Sequence, residues 1–208
     1  MKKTKRAKKS RTWVIKQHRD QFFKKAKVLG YRSRAAFKLL ELNKKFNFIK
    51  SNSNLLDIGA TPGGWSQVAS KMLTSGKILA VDILPMEKIK NVNFINGDFL
   101  EETTQQQIKN IFQKKIDVII SDMAENTTGN KSIDSIRTNN LCAEVIKFSI
   151  NHLDINGVLV CKLFMGDDFI LVKDLAKKNF KTVEFFKPES SRSESKETYI
   201  FCSTLKSL

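Results

Sequence analysis

Disulfide frameworks, membrane spans and secretory leaders are what this 208-residue sequence lacks first. Its three cysteines, Cys142, Cys161 and Cys202, form no C-x-x-C pair, and two of them stand in strongly apolar, strand-like segments. They read as buried free thiols of a reducing compartment. No apolar run approaches the roughly eighteen residues needed to cross a bilayer. The start, Met1 to Arg11, is basic but has no apolar stretch behind it, so a secretory signal is not expected. A mitochondrial presequence would be Arg-rich, Ser-rich and amphipathic, whereas this start is mostly Lys with no apolar face before Trp13. The reading is a soluble cytoplasmic protein, with the mitochondrial matrix as the lesser alternative.

Acidic residues are scarce in one place. Residues 1–50 hold 18 Lys and Arg against only Asp20 and Glu41, while the rest of the chain balances, so the whole net charge of +16 sits in one quarter of the sequence. A segment of this kind releases counterions when it neutralises phosphates, which gives salt-dependent, largely sequence-blind affinity for nucleic acid. A solvated basic tail or an anionic membrane surface is the competing explanation.

What is present is a chain long enough for one substantial core. Residues 1–12 are too polar to pack and are expected to be disordered. Apolar spacing then predicts a helix from Trp13 through Phe22, Phe23 and Ala26 to about Gly30. A second helix follows, capped by Ser33 and running through Phe37 and Leu40 to about Lys45. Beyond residue 50 short apolar runs alternate with helical stretches. Strands are expected at 55–58, 77–82, 91–95, 116–121, 158–163, 181–186 and 198–203. Helices are expected at 65–73 and around Leu141, Val145 and Phe148. This alternation implies an α/β fold with a seven-stranded, mostly parallel sheet, helices on both faces and an antiparallel last strand. The division expected is a basic extension over residues 1–30 and one domain over 31–208.

Asp57-Ile58-Gly59-Ala60-Thr61-Pro62-Gly63-Gly64-Trp65 follows a strand and opens a helix, the context in which a glycine loop matters. Its spacing is not G-x-G-x-x-G and no G-K-[ST] follows, so a pyrophosphate site is disfavoured. Asp82 closes the second strand, where a carboxylate can accept from two ribose hydroxyls, and Asp98 follows the third, within reach of an adenine amino group. Both could instead be plain loop caps. Taken together they fit an adenosine ligand without a pyrophosphate, such as S-adenosylmethionine.

Asp122 and Lys162 fall at strand ends, where open α/β sheets bind ligands. A lysine within Val158-Leu159-Val160-Cys161-Lys162-Leu163-Phe164 is costly unless it is paired or used. Lys38 on the basic helix and Glu197 before the last strand can reach the same mouth. Methyl transfer needs an aligned acceptor oxygen and a destination for its proton. Burial and a second ammonium favour a neutral lysine, while the two carboxylates oppose that shift.

At these residues the chain resembles the RrmJ/FtsJ family of ribose 2′-O-methyltransferases, also called RlmE, from about Ser10 to the C-terminus. Arg32-Ser33-Arg34-Ala35-Ala36-Phe37-Lys38-Leu39 is similar to that family's opening helix, Asp82-Ile83-Leu84-Pro85-Met86 to its second-strand segment, and Ser191 to Tyr199 to its closing motif. The resemblance implies a catalytic tetrad of Lys38, Asp122, Lys162 and Glu197, with Lys162 as proton acceptor. It implies cofactor contacts from Gly63, Trp65, Asp82, Asp98 and Asp122, S-adenosylhomocysteine as product, and no metal. It further implies a monomer acting on a uridine of large-subunit rRNA within the 50S particle. A tRNA anticodon-loop enzyme and a non-catalytic RNA-binding assembly factor are the alternatives. Two positions depart from the family pattern: Thr61 where alanine is usual, and Glu125 where proline is usual, which frees the loop after Asp122.

Overall fold

The computed structural model describes residues 20–125, 128–166 and 168–206. The expected disorder of residues 1–12 and the start of the first helix near Trp13 lie outside them.

The first described helix, α1 (Gln21–Val28), is capped by Asp20, which is extended and accepts from the N–H groups of Phe22 and Phe23, so the expected helix does not run unbroken through residue 20. An aspartate at this position satisfies donors that would otherwise face no partner. Helix α2 (Ala35–Phe46) starts later than expected. Ser33 is not its cap: its Oγ is buried without a hydrogen bond, packed where a Cβ at Gly64 would stand. At the other end Asn47 adopts the left-handed conformation, and the Asn43 side chain accepts from Phe48 and Ile49, which closes the helix.

The alternating elements follow as β1 (Leu55–Ile58), α3 (Gly64–Met72), β2 (Ile78–Asp82), β3 (Asn93–Asn96), α4 (Glu102–Phe112), β4 (Ile116–Ser121), α5 (Lys131–His152), β5 (Leu153–Phe164), α6 (Phe169–Asn179), β6 (Phe180–Phe186) and β7 (Glu197–Leu205). Strand β3 is shorter at its start than predicted, and β5 begins five residues earlier, with a register shift against β4 between Ile116 and Val118. Helices α4 and α6 are not among the expected elements: α4 is mostly polar, and the Phe169-Ile170-Leu171-Val172 run that opens α6 carries no clear helical period by itself.

The sheet runs β3-β2-β1-β4-β5-β7-β6, with β7 antiparallel to both neighbours. The seven strands, the parallel majority and the reversed last strand agree with the expected α/β class. The closing hairpin does not simply extend the edge: β7 inserts between β5 and β6.

Period-2 alternation sorts the side chains onto two faces. Leu159, Cys161, Leu163, Ile200 and Cys202 pack under α4, α5 and α6, whereas Val160, Tyr199 and Phe201 pack under α2 and α3. Lys162 therefore shares the α2 side with Tyr199, its direct cross-strand partner. The three cysteines are free and buried, all in the first of these layers. Among the described residues no helix is long and apolar enough to cross a membrane.

Candidate active site

Four elements deliver the predicted tetrad to one point. Lys38 projects from the first turn of α2, Asp122 follows β4, Lys162 lies near the end of β5, and Glu197 opens β7. Lys38 Nζ stands 2.8 Å from Glu197 Oε2 and 3.7 Å from Asp122 Oδ1, and Lys162 Nζ stands 3.1 Å from the same Asp122 oxygen. Lys162 also donates to the Asp122 backbone carbonyl at 2.5 Å. The four side chains are 8% to 17% exposed, which sets them apart from solvated surface ion pairs.

Burial pushes the Lys38 ammonium down, but Asp122 and Glu197 together outweigh it and hold its pKa above the ordinary lysine value. Burial likewise pushes Asp122 up, and the charges of Lys162 and Lys38 with the Tyr199 and Lys162 hydrogen bonds reverse that, leaving it below the usual carboxylate value. At neutral pH the pair is an ammonium and a carboxylate. Lys38 faces two carboxylates; Lys162 faces one and a neutral carbonyl.

Two further residues complete the arrangement. Tyr199, fully buried, donates its hydroxyl to Asp122 Oδ1 at 2.5 Å, and its ring lies 5.7 Å beneath the Lys38 ammonium. Ser191 donates to Glu197 Oε1 at 2.7 Å. Neither had been assigned a role from sequence, although the strand alternation that places Lys162 on one face also places Tyr199 opposite it. Arg34 ties this corner together by pairing with Asp20 and donating to the Ser190 carbonyl.

A cavity of about 400 Å³ lies beside Asp122, lined by Gly59, Thr61, Asp82, Asp98, Met123 and Leu141 among others. Asp82 accepts from Thr61 N–H through Oδ2 and from Leu84 N–H through Oδ1, both at 2.8 Å. Asp98 accepts from Leu100 N–H at 2.9 Å. Each aspartate is thus a loop cap as well as a cavity wall. A carboxylate has about four lone-pair sites, so each keeps acceptor capacity for a ligand. Acidic acceptors on a concave, partly apolar wall suit the hydroxyls and amino group of an adenosine, and this set of acceptors fits S-adenosylmethionine.

Gly63 and Trp65 do not line this cavity. The Trp65 indole is buried, donating to Ala35 O at 2.8 Å with its ring 5.6 Å from Tyr199, so only its backbone N–H in the first turn of α3 is left for a ligand. Gly63 has φ +103°, a backbone shape that glycine tolerates best. A second cavity of about 350 Å³ is lined by Arg34, Lys38, Arg192, Glu194, Ser195 and Glu197. The tetrad thus borders both cavities, one through Asp122 and the other through Lys38 and Glu197. Among the described residues no cluster of three or more His, Cys, Asp or Glu could hold a metal ion.

Beneath the glycine loop, Asp57 is fully buried with one oxygen bound by Ser66 Oγ at 2.6 Å and the other without a partner. Burial raises its pKa from 3.8 to about 7, the Ser66 hydrogen bond lowering it only in part. The folded state therefore keeps a proton that the unfolded chain releases above pH 3.8, and stability from this group is lost as pH rises toward 7. At about 1.4 kcal/mol per unit, the loss amounts to a few kcal/mol. Asp57→Asn should gain stability over the parent between pH 5 and pH 8, measured by urea unfolding at both; a difference independent of pH would contradict the assignment.

Comparison with known proteins supports the same reading. A methyltransferase from Pelagibacter ubique named ribosomal RNA large subunit methyltransferase E is 45% identical over 197 residues, covering 95% of this chain and 97% of that protein. The Rickettsia akari protein of the same name is 43% identical, covering 94% and 89%. A solved Plasmodium falciparum structure described as a ribosomal RNA methyltransferase superimposes with TM-score 0.75 at 34% identity, over 84% of this chain and 98% of that one. Human methyltransferase-like protein 13, solved with SAH, shares the fold at TM-score 0.58 and 16% identity, over 81% and 79%. The family model described as FtsJ-like methyltransferase matches residues 31–205, and the chain belongs to that family.

Proposed function

We propose that this protein transfers a methyl group from S-adenosylmethionine to the ribose 2′-hydroxyl of a uridine in large-subunit (23S) rRNA, with the assembled 50S particle as substrate. The observation that carries the reading is the convergence of Lys38, Asp122, Lys162 and Glu197 between two cavities, one walled by Asp82 and Asp98 and the other opening on Arg34 and Arg192. The cofactor supplies an electrophilic sulfonium methyl. The chain's own residues bind and align the acceptor oxygen and receive its proton.

Lys38, fixed as an ammonium by two carboxylates, stabilises negative charge at the acceptor. Lys162, held by Asp122 through its carboxylate and its backbone carbonyl, takes the hydroxyl proton as the free amine, after releasing its own proton to solvent. Tyr199 keeps the Asp122 carboxylate oriented. Asp82 accepts from the ribose of the cofactor, Asp98 from its adenine, and the Trp65 N–H in the first turn of α3 meets its amino-acid end, whereas the Gly63 N–H is taken by Ala60 O at 2.7 Å, so Gly63 acts through the shape of the loop.

The names of the Pelagibacter and Rickettsia relatives favour the large ribosomal subunit over tRNA. The basic residues 1–30 would guide RNA to a catalytic domain spanning 31–208, in a cytoplasmic monomer. Labelled S-adenosylmethionine offered in turn with undermethylated large subunits, naked rRNA and tRNA tests this. Transfer to subunits is expected; transfer to tRNA alone would reassign the substrate, and cofactor binding without transfer to any RNA would leave a non-catalytic binding factor.

Asp82→Ala tests the cofactor half of the site. It should weaken S-adenosylmethionine binding by about tenfold, the scale of one lost charge-assisted hydrogen bond, with kcat at saturating cofactor little changed. Titration calorimetry beside steady-state kinetics separates the two; unchanged cofactor affinity would remove Asp82 from this role.

A further inference from the structure

Arg32 stands in the turn between α1 and α2 and touches none of the tetrad. Its guanidinium gathers three backbone carbonyls: Nη1 donates to Pro62 O at 3.2 Å and to Glu87 O at 2.6 Å, and Nη2 donates to Lys88 O at 2.9 Å. Pro62 belongs to the glycine loop. Glu87 and Lys88 belong to the connection from β2 to β3, which begins directly after Asp82. The turn is held from behind as well, because Arg32 N–H donates to Gln67 Oε1 at 3.0 Å and Gln67 Nε2 donates to Gly30 O at 2.8 Å.

The same two loops meet again at Asp82. Its carboxylate bridges Thr61 N–H and Leu84 N–H, and Thr61 Oγ1 donates to Leu84 O at 3.0 Å. Those bonds set the carboxylate's direction only while the loops keep their spacing. Arg32 fixes that spacing further along both. The packing is close: a Cβ on Gly63 would come within 2.7 Å of Ile89 Cδ1, 2.9 Å of Met86 Sδ and 3.1 Å of Arg32 Nη1. Three converging carbonyls suit a planar fork of donors, which lysine cannot reproduce.

We infer that Arg32 is a positioning residue for cofactor binding, clamping the glycine loop to residues 87–88 and so holding Asp82 and the Ile83–Leu84 wall of the cavity. The inference rests on the reading of Asp82 as the cofactor's ribose acceptor. It assigns a mechanical task to the basic segment beyond attracting RNA, since the turn that joins its two helices also shapes the cofactor cleft.

The test compares Arg32→Ala, Arg32→Lys and Asp82→Ala for S-adenosylmethionine Kd, kcat at saturating cofactor and Tm. Arg32→Ala should raise Kd about tenfold with kcat within about twofold of the parent, and Arg32→Lys should fall between them. Millimolar guanidinium should restore most of the affinity of Arg32→Ala while leaving that of Asp82→Ala unchanged. Rescue separates a clamp from a general loss of fold, because an unfolding variant would not regain affinity. Parent-like affinity in Arg32→Ala, or a weakening that guanidinium does not reverse, overturns the inference. If Asp82→Ala weakens binding and Arg32→Ala does not, the clamp alone fails; if Asp82→Ala also binds like the parent, the reading of the cleft fails with it.

Discussion

Lys162→Ala should lower kcat by roughly 10²- to 10⁴-fold, the range of a lost general acid or base, while S-adenosylmethionine affinity stays nearly unchanged. The fold should survive, since Asp122 keeps the Lys38 ammonium at 3.7 Å and the Tyr199 hydroxyl at 2.5 Å after Lys162 is gone. The loss then reports chemistry and not unfolding. Lys162→Arg divides the two tasks a cation could perform here. A guanidinium keeps the positive charge but cannot accept a proton near neutral pH. Activity close to the parent in Lys162→Arg would mean that charge stabilisation suffices and would remove the proton-acceptor role. Single-turnover rates on undermethylated subunits are the measurement, because they exclude product release.

The second large effect is on stability. Asp122→Ala removes the one carboxylate shared by both lysines and leaves the Lys162 ammonium, 8% exposed, with only a backbone carbonyl for a partner. Breaking a buried pair in this way costs about 3–5 kcal/mol, against a typical total stability of about 5–15 kcal/mol. For a chain of this size that corresponds to a fall in Tm of roughly 10 °C, readable by calorimetry, together with loss of transfer. A Tm within about 2 °C of the parent would show that the cluster holds little of the fold's stability. The pH dependence has a definite sign. Asp122 has its folded pKa depressed by the lysines, so its stabilisation is fully present above the ordinary carboxylate range and disappears only as pH falls through the lowered value. Asp57 behaves in the opposite way, its contribution declining as pH rises toward 7.

Much of the α/β layout was legible in the sequence because strands β1, β2 and β4 are short apolar runs with distinct ends. The glycine loop was legible for the same reason, standing between a strand and a helix. The break in the first expected helix at Asp20 and the start of α2 were not legible. At Asp20 a capping carboxylate overrides the apolar spacing, and at Ser33 the hydroxyl serves close packing against Gly64 and not the helix end. Strand β5 is longer than expected because Asp154, Asn156 and Gly157 look like a turn, yet Leu153 ahead of them pairs with Ile116 of β4 before a register shift, and regular pairing resumes at Val158.

By itself the sequence determined the alternating α/β class, the concentration of positive charge in residues 1–50, the acidic residues after β2 and β3, and the anomaly of a lysine in an apolar strand. These are local properties, each fixed by residue type and spacing. The tertiary structure decided what those residues do to one another. Insertion of β7 beside β5 sets Tyr199 opposite Lys162 and carries Glu197 to Lys38, 159 positions away in the chain. The fold of the turn after α1 sends Arg32 to carbonyls 30 and more residues distant. Charge state follows from that assembly, because a lysine is held as an ammonium, or a carboxylate kept ionised, by neighbours that only the folded chain brings within a few ångströms.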